Sequence, residues 1–298
     1  MLHACIGANI LDRLVKCPGS LKPGKGSLAE YRKNQEKHKS YVKNKIECNG
    51  ATTFGEIVDE LAKSYIYFAR TGNNKKSHYV KPEHECDSKY FTPAKNYADH
   101  ILKVAKRFDK IFLDARYDVS HYIKDLPGCE FSVSMNPDVV IMNNDQSGLA
   151  FVSDLSTARS YDRNKMFQVL CCAIGLVECN PKVTDVICEV YNSSTEEVQY
   201  CKFSKDELIA YRDDLLLPAL QRVRDALEDN YTNIEAHRQY NSWCSKYCVY
   251  GPKEENSCKA CHCCGEMIEN EVPIQVHFFL DLRTEADLAA YNNLFITK

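Results

Sequence analysis

Asp138 opens the apolar run NPDVVIM, and Asp154, sixteen positions later, closes LAFVSD. Carboxylates fixed at strand ends are a common way to hold Mg²⁺ or Mn²⁺, hard cations that prefer oxygen donors. A cation held there neutralises a phosphoryl oxygen and lowers the pKa of an attacking water, which is the chemistry of phosphodiester hydrolysis. If the polar stretch 143–148 is a turn centred near Gln146, the two aspartates are cross-strand neighbours, and the backbone carbonyl of Leu155 is a natural third ligand. Aspartates at strand ends are also ordinary turn formers, so the pair needs further groups to carry chemistry.

The stretch after Asp154 supplies some. It carries Asn164, Lys165 and Gln168 at helical spacing, and Lys165, one turn before Gln168, either brings an ammonium to the same space or is a surface helix residue. Arg159 would add charge but no base at neutral pH. Glu130 is either a further acid or a solvent-facing strand residue.

Cysteine is the second chemical signal. The chain has sixteen, and six of them fall between Cys244 and Cys264. Cys244 and Cys248, then Cys258 and Cys261, form two close pairs, with His262, Cys263 and Cys264 as further donors. Thiolates at that density suit Zn²⁺ or an iron-sulfur cluster, whereas Mg²⁺ avoids them. Cys171, Cys172 and Cys188 sit in apolar stretches and read as small core residues. Trp243 is expected to pack over the cysteine cluster, and His78, His84, His100 and His121 read as surface residues.

A chain of 298 residues with 44% hydrophobic and 27% charged residues is long and apolar enough to bury a substantial core. The formal net charge of −3 argues against coating nucleic acid by bulk electrostatics. One local exception runs from Lys22 to Lys45, with eight basic residues against Glu30 and Glu36. It includes Lys22, Lys25, Arg32 and Lys33, and reads either as a solvated arm or as a contact for phosphates. No apolar run is long enough to span a membrane, and Asp12 and Arg13 interrupt the place of a signal peptide, so the expectation is a cytoplasmic protein with no membrane partner. No phosphate-binding glycine loop or nucleophile-elbow motif occurs.

The elements that must position these groups follow from periodicity. Helices are expected at 7–15, at 54–69 with Thr53 as cap, and at 95–112, with a polar loop over 71–93. Strands are expected at 117–123, 130–142 and 149–154, the last two as a hairpin in a mostly antiparallel meander. A helix apolar on nearly every side covers 165–177, strands follow at 183–191 and 197–203, and Ser204 with Glu207 forms a capping box for a long helix to 228. A strand at 274–280 and a short helix from 285 close the chain without an evident role.

This order of features resembles the RecB-like branch of the PD-(D/E)XK nucleases, closest to phage-type Cas4-like exonucleases. The resemblance covers about residues 8 to 264 and rests on LDRLVKCPGS, FGEIVDELA, NPDVVIM, Asp154 with its following strand end, NKMFQVLCCAIGL, SKDELIAYRDDLLLPALQRVRDAL and the tail cysteines. It implies an α/β, restriction-endonuclease-like mixed sheet flanked by helices, with a Cys-rich metal-bound C-terminal region. The implied divisions are a helical N-terminal flank at 1–112, a nuclease core at 113–230, a cysteine-cluster region at 231–270 and an extension at 271–298.

The same resemblance makes Asp138, Asp154 and Gln168 catalytic, to which the residue reading adds Lys165 in place of the motif lysine; Asp59, Asp138 and Asp154, with the Leu155 carbonyl from the residue reading, would surround Mg²⁺ or Mn²⁺. A [4Fe-4S] cluster would take Cys17, Cys244 and Cys248 with Cys258 or Cys261; the alternative is a local zinc site of Cys244, Cys248, Cys258 and Cys261. DNA, single-stranded or with a free end, would meet Lys22, Lys25, Arg32, Lys33 and Gln168. Phage replication or recombination proteins are the implied partners. Three positions depart from the family pattern: its motif lysine falls at Ser156, its helix histidine at Asp59, and its aromatic after the glutamine at Cys172. The expected function is therefore metal-dependent DNA exonuclease activity, with a catalytically silent DNA- or protein-binding relative as the alternative. A third reading is a zinc-stabilised interaction protein.

Overall fold

The computed structural model describes residues 1–17, 21, 24–47, 54–72, 88–157, 163–228 and 278–295. It is an α/β protein with two mixed sheets flanked by helices.

The strand β1 (Leu2–Gly7) runs directly into the helix α1 (Ala8–Lys16), followed by the short strand β2 (Gly24–Lys25) and the helix α2 (Leu28–Glu47). The expected basic arm is thus helical for most of its length. Two helices, α3 (Phe54–Thr71) and α4 (Ser88–Ala105), precede β3 (Lys110–Leu113) and β4 (Tyr117–Asp118). The helix expected at 95–112 therefore begins earlier and stops short, because Lys110–Leu113 pairs with a neighbouring strand. Of the strand expected at 117–123 only the first two residues pair, and Ser120–Tyr122 forms a 3-10 turn.

The strand expected at 130–142 is two strands, β5 (Cys129–Met135) and β6 (Val139–Met142), which belong to different sheets. Asn136 and Pro137 separate them, and Pro137 has no N–H to give a ladder. The remaining elements are β7 (Gly148–Ser156), α5 (Arg163–Cys179), β8 (Val183–Asn192), β9 (Glu197–Ser204), α6 (Lys205–Tyr211), α7 (Leu217–Glu228), β10 (Phe278–Asp281) and α8 (Glu285–Asn293).

Among the described residues the larger sheet has the order β10-β9-β8-β7-β6-β3 and the smaller β2-β1-β5-β4. The expected antiparallel meander holds for β6 with β7 and for β8 with β9, but β7 and β8 are parallel, as are β1 and β5. A parallel pair needs a crossover, and α5 supplies it between β7 and β8. The N-terminal β1 lies beside β5, and β10 extends the edge at β9, so both ends of the chain add strands to the sheets around the middle of the sequence.

The larger sheet is covered on both faces. Val140, Val152 and Val186 face α1, α5, α7 and the smaller sheet, whereas Ile141, Phe151 and Ile187 face α3, α4 and α8. This explains why β7 reads as a continuous apolar run: a central strand buried on both sides has no polar face. Gly175 lets α5 approach the smaller sheet, since a Cβ there would come within 2.9 Å of Met135 and 3.1 Å of Tyr117. Ser204 and Glu207 form the expected reciprocal cap, and the helical stretch behind it continues to Glu228 through a short π segment at Arg212–Leu216. Cys171, Cys172 and Cys188 are fully buried in the core.

Candidate functional site

The β6–β7 ladder pairs Val139 with Ser153 and Val140 with Val152, so the next step of the register sets Asp138 opposite Asp154. Side chains alternate along a strand, and both aspartates fall on the face of Val140 and Val152, towards α5. The turn that sets this register contains Gln146 at φ 55° and Gly148 at φ 72°, left-handed positions that tighten the connection.

Helix α5 lies over that face and brings two groups one turn apart. Lys165 Nζ lies 2.6 Å from Asp154 Oδ1, and Gln168 Nε2 donates to Asp154 Oδ2 at 2.7 Å. Lys165 is therefore the aspartate's partner and not simply a surface helix residue. Asp138 accepts the Leu155 N–H on Oδ2 at 3.2 Å. Leu155 thus reaches the acid pair through its amide, whereas its carbonyl was expected as a ligand of the metal itself.

A second lysine enters from α3. Lys63 Nζ lies 2.7 Å from Asp59 Oδ2, 2.7 Å from Asp114 Oδ1 and 3.0 Å from Asp138 Oδ1, with its own side chain only 3% exposed. Asp59 precedes Lys63 by four residues and lies on the same helix face. Asp114 reaches it because the chain turns left-handed at the end of β3, with φ 51°, and the Asp114 N–H bonds the Asp138 carbonyl at 3.1 Å. Non-glycine residues in that region are uncommon and concentrate where local structure is over-determined.

The electrostatics follow from this packing. Burial and the neighbouring Asp138 charge push Asp154 up to about 6, against the pull of Lys165. Burial also works on Asp138, but the Lys63 and Lys165 ammonium groups outweigh it and hold its carboxyl below the usual range. Asp59 is pushed well above that range by burial and by Asp138. Lys63 and Lys165 resist the burial that would discharge them, because the aspartates raise their pKa values, so both stay protonated. Lys165 acts here as a positive charge, not as a base.

Among the described residues, no three His, Cys, Asp or Glu side chains stand close enough together to hold a metal ion. The donors nevertheless fit a hard divalent cation in kind, and Asp59 Oδ1 is buried without a hydrogen-bond partner. Ser156 is buried two residues beyond Asp154. Cys172 is a core residue on α5. Glu130 is half-buried on β5, in the smaller sheet.

A cleft of about 660 Å³ opens beside the acids, lined by Asp138, Asp114, Asn136 and Ser134 on one side and by Tyr31 and Arg32 of α2 on the other. Of the basic residues expected to meet DNA, Arg32 lies in this cleft, whereas Lys25 and Lys33 are exposed and do not line it, and Lys22 lies outside the described residues. Gln168 is committed to Asp154. Cys17 is buried just past α1; Cys244, Cys248, Cys258, Cys261, Cys263, Cys264, His262 and Trp243 lie outside the described residues, as do Arg159, His78 and His84.

His100 corrects the expectation of a surface histidine. It is 7% exposed, and its Nε2 lies 3.0 Å from both oxygens of Glu189, which is fully buried. Ser153 donates to Glu189 Oε1 at 2.9 Å, Tyr97 donates to Ser153 at 3.1 Å, and the Tyr291 hydroxyl of α8 donates to Glu189 Oε2. This cluster occupies the opposite face of β7, one residue from Asp154. Residues 278–295 therefore have a role: β10 pairs with β9 while Tyr291 seats α8 on the sheet.

Lys63 and Asp114 were missed by sequence reading. The D-x-x-x-K spacing within FGEIVDELAK signals a helical ion pair, but Asp114 carries no local signal, since a turn brings it in. The described residues contain no helix long and apolar enough to cross a membrane. Searches against protein-family models, curated proteins and solved structures find no match to the chain.

Proposed function

We propose that the chain is a divalent-metal-dependent deoxyribonuclease with a restriction-endonuclease-like core of the PD-(D/E)XK type, acting as an exonuclease in phage-type replication, recombination or repair. The observation that carries this reading is the convergence of Asp138, Asp154, Lys165 and Gln168 on one face of the β6–β7 hairpin. Asp138 and Asp154 would hold Mg²⁺ or Mn²⁺ as its two carboxylate ligands, with water filling the remaining positions, and Asp59 could join them only by leaving the Lys63 ammonium. When bound, the ion supplies charge neutralisation at phosphorus and acidifies a water.

The chain's own groups account for the rest. Gln168 orients the Asp154 carboxylate, and the Leu155 amide fixes that of Asp138. Lys165, held protonated, supplies positive charge for the negative charge that builds on the phosphoryl oxygens, replacing the lysine that Ser156 lacks. A [4Fe-4S] cluster on Cys17 and the tail cysteines remains part of the proposal, with zinc as its alternative. A brown chromophore and bound iron support the cluster, and a colourless protein containing zinc supports the alternative.

The second reading, a catalytically silent protein of this fold that binds DNA or a protein partner, is favoured by Lys63, whose ammonium already compensates three of the acids. End-labelled DNA incubated with Mn²⁺ decides between them. Cleavage by the wild type and none by Asp154→Asn supports the enzyme; intact DNA with both overturns it.

A further inference from the structure

The cleft beside Asp138 is built with more care than a surface groove needs. Helix α2 begins with a reciprocal cap, in which the Ser27 N–H donates to Glu30 Oε2 at 2.9 Å and the Glu30 N–H donates to Ser27 Oγ at 3.3 Å. One residue later Tyr31 packs on His3 of β1, with ring centroids 5.4 Å apart, and His3 Nδ1 lies 3.3 Å from the Gly26 carbonyl. The pairing of Leu2 with Lys25 and His3 with Gly24 ties the same segment to the smaller sheet. The first turn of α2 is therefore fixed against β1, and Arg32 projects from a rigid base.

Arg116 lines the same cleft, two residues beyond Asp114 and so two residues from the Lys63 cluster. Both guanidinium groups act on the Cys5 thiol, which lines the cleft too, against the burial that raises its pKa, and both act on Asp118. Asp118 is already committed to Ser120, accepting from its amide at 3.0 Å and its hydroxyl at 2.5 Å. Asp114 and Asp138 are compensated by Lys63, which leaves Glu36 as the remaining acid on the cleft wall. Among the described residues neither arginine makes an ion pair. Tyr31, 37% exposed, offers a ring beside them.

Resting on the nuclease reading above, we propose that Arg32 and Arg116 form an anchoring subsite for a phosphate of a single nucleic-acid strand next to the scissile position, with a base stacked on Tyr31. Guanidinium forks match phosphate oxygens, and aromatic rings that accept bases are the common chemistry of single-strand grooves. A cleft of about 660 Å³ is the size of a small-ligand site, large enough for a nucleotide or two and too small for a duplex. Arg116 is a residue that sequence reading did not place in the site.

The test is fluorescence anisotropy of labelled oligothymidylate, oligouridylate and a DNA duplex on the full chain in EDTA, where cleavage cannot interfere. Arg32→Gln/Arg116→Gln is expected to weaken single-strand binding at least about tenfold and to flatten its salt dependence by about 0.7 in log–log slope, the value for one neutralised phosphate on a single strand. Tyr31→Ala is expected to weaken it several-fold, and duplex binding to change by less than twofold. The tighter of the two single strands names the source. Lys33→Gln, an exposed charge on the same helix, is the control. Equal losses for Lys33→Gln and Arg32→Gln, or equal losses for duplex and single strand, overturn the subsite, as does unchanged affinity in a double variant whose thermal melt matches wild type. Binding by the wild type that depends on both arginines but brings no cleavage in Mn²⁺ defeats the enzyme reading and spares the subsite. Cleavage with arginine-independent affinity does the reverse.

Discussion

Neighbouring residues of one strand, Ser153 and Asp154, look into two very different polar clusters. On Ser153's side, Glu189 receives hydrogen bonds from Ser153 and Tyr291 and meets His100, and α8 closes over the group. On Asp154's side, four aspartates and two lysines share a space that opens into a cleft, and one buried carboxylate oxygen is left without a partner. Buried polar groups normally find partners, so the first cluster reads as architecture, a polar clamp that fastens the C-terminal extension. The second concentrates like charges beside an opening, an arrangement that costs stability unless a ligand or reaction uses it.

Four substitutions test that contrast. Lys63→Met should be the most damaging, costing about 3 kcal/mol or more, because Asp59, Asp114 and Asp138 lose their shared ammonium. A chemical-denaturation loss under about 1 kcal/mol would show that the acids relax into solvent and that the cluster is not held by this lysine. Asp154→Asn follows, with cleavage down at least about a hundredfold, equivalent to roughly 2.7 kcal/mol of barrier, and an unchanged melting curve. Retained cleavage in an end-label assay would remove Asp154 from the chemistry.

On the other face, Glu189→Gln should cost about 2 kcal/mol in unfolding free energy, since it withdraws the charge from several hydrogen bonds, while the cleavage rate of folded protein stays the same. A tenfold slower rate would join the two faces into one functional unit. Tyr291→Phe should be the mildest, at about 1 kcal/mol, with limited proteolysis showing whether α8 is released before the rest of the fold. If its release coincides with global unfolding, α8 is part of the core rather than a fastened extension.

Local signals in the sequence carried some of this. The 3.6 and 2.0 periodicities located α3, α5, β8 and β9, and the Ser204–Glu207 cap was readable because capping depends on neighbours three residues apart. The Asp138–Asp154 register was readable too, since one turn sets it. Other features had no local signature. The break at Asn136–Pro137 was hidden because apolar residues continue on both sides of it, and no element was expected over residues 2–6 because the partner of β1, β5, lies more than a hundred residues away.

The chain's chemistry of oxygen donors, lysines and clustered thiols, and the hairpin that aligns two of its acids, were determined by the sequence alone, because they depend on residue type and short-range geometry. Tertiary structure decided that Lys63 and Asp114 join those acids, that Arg116 and Arg32 line one cleft, and that His100 is buried against Glu189. Each of these placements joins separate elements, and a buried charge such as Lys63 settles where packing supplies its counter-charge, which no local pattern encodes.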